Sequence, residues 1–72
     1  MAQGNSGIKA HDDVVNAAEG VRQTAVAAAS SQAAVKSAEV TYYRAVAKSA
    51  LKNGCGVEAA MSALKSLGVT GL

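Results

Sequence analysis

Seventy-two residues, half of them hydrophobic, allow one small domain, a size at which a single core is marginal unless disulfides, metal or oligomerisation assist. One Cys excludes an intrachain disulfide, and one Cys with one His is too few ligands for structural zinc, so neither a metal nor a cofactor is expected and oligomerisation is the route left. The net charge of +2 is unevenly laid out, −2 over residues 1–20 and +4 over residues 21–72.

The hydrophobic half is shallow: seventeen Ala and nine Val stand against four Leu, one Ile, two Met and no Phe or Trp. Burial is worth roughly 25 cal/mol per Å² of apolar surface, so alanine contacts must be many and close to offset chain entropy.

Residues 1–11 read as a flexible arm, with Gly4, Asn5, Ser6 and Gly7 breaking any pattern and Ile8 its only large apolar anchor. This opening has one Lys and no apolar run, so a cleavable signal peptide is not expected. The location that follows is the cytoplasm, an exported filament or a virion. No window approaches the roughly 20 apolar residues of a membrane span.

Asp12 or Asp13 then offers an N-cap for a long alanine-rich helix over residues 12–53. The acids lie near its start and Arg44, Lys48 and Lys52 near its end, as the helix dipole favours. One continuous, bent rod is expected ahead of the rival reading, a break at Gly20 or at Ser30–Ser31 into two antiparallel helices. Neither serine is followed three residues later by the Glu or Gln of a capping box. Heptad steps from Val14 run through Ala18, Val21, Ala25, Ala28, Gln32, Val35, Glu39, Tyr42 and Val46, a coiled-coil-like seam interrupted at Gln32 and Glu39.

The turn over 54–56 and a short amphipathic helix over 57–67 come next, with a tail over 68–72 that docks through Val69 and Leu72. Val57, Met61, Leu64 and Leu67 share one face of that helix and are expected to fold back onto Val46 and Leu51. The fold class is therefore all-α.

A helix of 11 or 12 residues spans roughly 17 Å and cannot reach the stretch AVAAASSQAAV at residues 25–35. No charge occurs between Arg22 and Lys36, and a helix without a polar face is usually buried all round. The expected assembly interface is Val21, Ala25, Ala28, Ala29, Gln32, Val35 and Tyr42, with the helix–helix core at Val46, Leu51, Val57, Met61, Leu64 and Leu67. Small side chains there let helix axes approach closely. A homo-oligomer is the first expectation, another protein partner the second, and nucleic acid the last.

Catalysis has no support in the pattern. Cys55 between two glycines fits a tight turn better than a reactive or intersubunit-disulfide thiol, and His11 lies far from it along the chain. Asp12 and Asp13 diverge on a helix, and the sequence NGCG lacks the ending of a phosphate loop. The basic stripe Arg44, Lys48 and Lys52 reads as a solvated face, with a neighbour's acidic end or a phosphate as its functional readings. Residues 43–68 outline a helix-turn-helix, but its second helix opens on Val57, Glu58, Ala59 and Ala60, with no side chain suited to base edges.

In outline the chain resembles small secretion-filament subunits of the type III needle and pilus kind. Its order of acidic start, uncharged middle and basic end is similar to filamentous bacteriophage coat proteins, although the middle is too polar for membrane insertion. The uncharged stretch that the chain cannot cover by itself leads to the expectation of a non-enzymatic structural subunit that self-assembles through alanine-rich helix packing into a filament, tube or coat. The alternative is a small helical adaptor or regulator that binds a protein or, less favoured, nucleic acid.

Overall fold

A computed structural model describes the backbone of residues 2–71 and the side chains of residues 9–71. The chain is all-α, with helices α1 (Ala2–Ala28), α2 (Gln32–Asn53) and α3 (Glu58–Ser66). No described helix is long and apolar enough to cross a membrane.

The continuous rod over 12–53 is replaced by a hairpin. α1 ends in a tightened turn, with Ala29 N–H donating to the Val26 carbonyl at 3.1 Å, and Ser31 turns fully extended at φ −151° and ψ 161°. Ser31 Oγ accepts a 3.2 Å hydrogen bond from Ala34 N–H, and the Ser31 carbonyl accepts from Val35 N–H. A serine that satisfies an orphan amide of the next helix competes with helix continuation without needing the glutamate of a capping box. The alanine-rich stretch that looked like the middle of a rod is thus the bend of an αα-hairpin.

The expected arm is also corrected, because α1 begins at Ala2. Gly costs about 1 kcal/mol relative to Ala in a helix, a small penalty once a helix is nucleated and propagating. Asp12 and Asp13 consequently lie inside α1 rather than capping it, and Asp13 pairs with Lys9 one turn earlier at 3.5 Å. The Ile8 and Leu72 side chains lie outside the described residues.

Gly54 ends α2 in the left-handed conformation at φ 70°, and both its own N–H and that of Cys55 return to the Ala50 carbonyl. This double closure reverses the chain and lays α3 against α2. Val69 N–H closes α3 in the same manner on the Leu64 carbonyl, around Gly68 at φ 86°. A Cβ on Gly68 would lie 4.0 Å from Lys36 Nζ, so that ammonium sits at the negative end of the α3 dipole.

The core lies between α2 and α3. Ala47, Ala60 and Leu64 are buried together, with Val40, Tyr43, Val46, Val57, Met61 and Val69 packed around them. Leu64 is the only large side chain among the described residues to be fully buried. Leu51, expected in this core, is 59% exposed: it is one residue and about 100° of helix past Ala50, which is buried. Leu67 is half-buried at the end of α3 and stands apart from the cluster.

Helix α2 touches both neighbours, whereas α1 and α3 do not touch each other among the described residues. The molecule measures 44 × 24 × 13 Å, so it is a layer about one helix thick. Such a layer has no enclosed interior, and only six described residues are buried.

Candidate assembly interface

One face of the hairpin carries an open groove of about 610 Å³. From α1 it is lined by Ala18, Val21, Arg22, Ala25, Ala28 and Ala29, and from α2 by Ala34, Ser37, Ala38, Thr41, Tyr42 and Ala45. The heptad seam therefore holds along α1, where its steps fall on one face. Beyond the bend only Tyr42 among its steps reaches the groove, because the extended Ser31 resets the helical phase. Val35 lines a separate depression with Gln23, Val26 and Glu39, and Gln32 is exposed at the start of α2. Of the seven expected interface residues, the groove gathers Val21, Ala25, Ala28, Ala29 and Tyr42 and excludes Gln32 and Val35. Apart from Tyr42, the α2 wall went unread in the sequence. Its signal is Ala34, Ala38, Thr41 and Ala45 at three- and four-residue spacing, counted from Ser31 rather than from Val14.

Ala packing brings the two helices together, and Ala38 on α2 is buried. Val21, by contrast, lines the groove yet is 63% exposed, and Val14 and Val26 are also exposed. The floor is held by Arg22. Its guanidinium lies 3.3 Å from Glu39 Oε1 across the hairpin and 4.3 Å from the centre of the Tyr42 ring. Tyr42 meets Tyr43 edge to face at 4.9 Å, which couples the α1 contact on one side of α2 to the α3 core on the other. Burial raises the Tyr42 pKa above its ordinary value, and the nearby Glu19 carboxylate adds to the rise against the opposing pull of Arg22.

The groove continues past Ala45 toward the open end of the hairpin, where Ala10 and Val14 face Lys48, Ser49, Lys52 and Asn53. There His11 is no part of a mobile arm: its Nδ1 lies 2.9 Å from Ser49 Oγ. Asn53 Nδ2 donates to the Ser49 carbonyl at 2.9 Å and to Ser49 Oγ at 3.2 Å. Ser49 is buried, and this trio fastens α1 to the last turns of α2.

The basic stripe is on the surface, with Arg44, Lys48 and Lys52 all exposed. Cys55 is half-buried in the turn, its Sγ 3.9 Å from the Asn53 carbonyl and distant in sequence from His11. Among the described residues no three His, Cys, Asp or Glu side chains converge to hold a metal. Comparison with protein-family models, with curated proteins and with solved structures returns no match for this chain.

Proposed function

We propose that the chain is a non-enzymatic structural subunit that self-assembles through the alanine-lined face of its hairpin. The observation that carries this reading is the open, one-helix-thick layer. A folded monomer of 7.1 kDa exposes about 4,100 Å² by the usual scaling of surface with mass, against 4750 Å² here, a surplus of roughly 650 Å². That surplus approaches the ~800 Å² each partner contributes to a standard interface. The groove is the face proposed for that contact: between Ala18 and Ala45 Arg22 is its only charged lining residue, and alanines permit close helix approach. Repetition of such contacts gives a filament, tube or coat when the surfaces that meet differ, and a closed pair when they are the same.

Val21 provides the test. At 63% exposure it contributes little to the monomer, so Val21→Glu leaves helicity unchanged while placing a charge in the groove. Wild-type protein is expected to form dimers or larger species by sedimentation as concentration rises, with any polymers visible in negative stain, and Val21→Glu to remain monomeric. Wild-type protein that stays monomeric at millimolar concentration across salt and pH would sink the proposal. A second reading, a helical adaptor whose groove receives one helix of a different protein, is favoured by the same groove and predicts a monomer in isolation.

A further inference from the structure

We infer that the partner in the groove is a second copy of this chain, related by a two-fold axis parallel to the helices, so that α1 of each copy lies over α2 of the other. This rests on the self-assembly reading above and specifies its geometry.

The groove is asymmetric along its length. At the bend it is walled by uncharged residues such as Ala28 and Ala34, and at the open end by Lys48 and Lys52. The open end also carries the opposite charge, on the other helix. Asp13 follows Asp12 on α1, its side chain 65% exposed, one residue before the groove-lining Val14. Lys9 pairs with Asp13, and the two aspartates still leave that stretch of α1 net negative.

Two closed arrangements put groove against groove. With the two-fold axis between the layers and perpendicular to the helices, the open end of one copy covers the bend of the other, and Lys48 and Lys52 meet alanines and serines. Desolvating ammonium groups there gains no partner. With the axis along the helices, open end meets open end and α1 crosses to the opposite α2. Within one chain Arg22 pairs with Glu39 and His11 with Ser49, so the level of Asp13 on α1 is the level of Lys48 on α2. The second arrangement therefore sets Asp13 of each copy beside Lys48 of the other, twice by symmetry, with Val21 covered near Thr41 at mid-groove. Charge pairs at such a rim fix orientation more than they add affinity.

A charge-exchange cycle on the full chain, followed by analytical ultracentrifugation at low salt, tests this geometry. Asp13→Lys and Lys48→Glu, each of which turns two attractive contacts into two repulsive ones, are expected to raise the dimer dissociation constant about tenfold. The combined variant is expected to return to within about threefold of wild type, and wild-type association to weaken as salt is added. Circular dichroism keeps folding separate from association, since both side chains are exposed. Single variants that dimerise like wild type, or a combined variant as weak as the sum of the two, overturn the parallel-axis pair and leave self-assembly standing. A wild-type chain that does not associate at all overturns the self-assembly reading itself.

Discussion

The two helix–helix contacts of this molecule are built from different materials. Between α2 and α3 a nine-residue helix brings Leu64 to complete burial among Val40, Tyr43 and Met61. Between α1 and α2 far longer helices bury little beyond Ala38 and are stitched by polar groups, Arg22 to Glu39 near the bend and His11 to Ser49 at the open end. Large apolar side chains make the short contact self-sufficient, whereas the long one fixes geometry and leaves its apolar face uncovered. Area buried per residue, rather than contact length, separates a core from a scaffold.

Removing the strongest element of the first contact should have the largest effect. Leu64→Ala is expected to cost about 2–5 kcal/mol, comparable to the whole stability of a domain this small, and to abolish a cooperative unfolding transition in urea. The hairpin should respond less. Arg22→Ala removes both the Tyr42 ring contact and the Glu39 pair and is expected to cost about 1 kcal/mol, read as a lower urea midpoint with unchanged slope. Ser31→Ala leaves the Ala34 amide uncapped, for a loss of about 1 kcal/mol, while Ser31→Gly should lose only a few tenths.

The smallest expected effect is a pH dependence. Because Tyr42 has a raised pKa in the fold, the folded state prefers its neutral phenol. The Tyr42 contribution to stability is then fully present below about pH 10, the ordinary tyrosine value, and is lost as pH rises through the raised folded value. Ultraviolet titration of phenolate absorbance in Tyr43→Phe, which isolates Tyr42, should place its midpoint above that of the denatured chain. A midpoint equal to the denatured value would mean Tyr42 is as solvated in the fold as out of it.

The sequence made the α2–α3 corner legible because its signals are local: Gly54 for the left-handed cap, and Val57, Met61 and Leu64 at helical spacing. The bend was harder to read. Ser30 and Ser31 stand in a stretch of alanines with excellent helix propensity, and only the extended conformation of Ser31 reveals that its hydroxyl caps α2. The misplacement of Gln32 and Val35 follows from that one residue, since a periodicity carried through a break projects onto the wrong face. Leu51 was misread for a different reason: an apolar residue near a helix end is not core unless the following turn aims the next helix at it.

The layered arrangement bears finally on how the molecule opens. Since among the described residues α2 alone contacts both neighbours, α1 can detach and leave the described contacts of α3 in place. Such a part opens below the global unfolding free energy. Amide hydrogens of α1 should exchange with solvent ahead of those around Ala47 and Leu64, and covering the groove should slow that exchange, turning the least protected helix into the sensitive reporter of association.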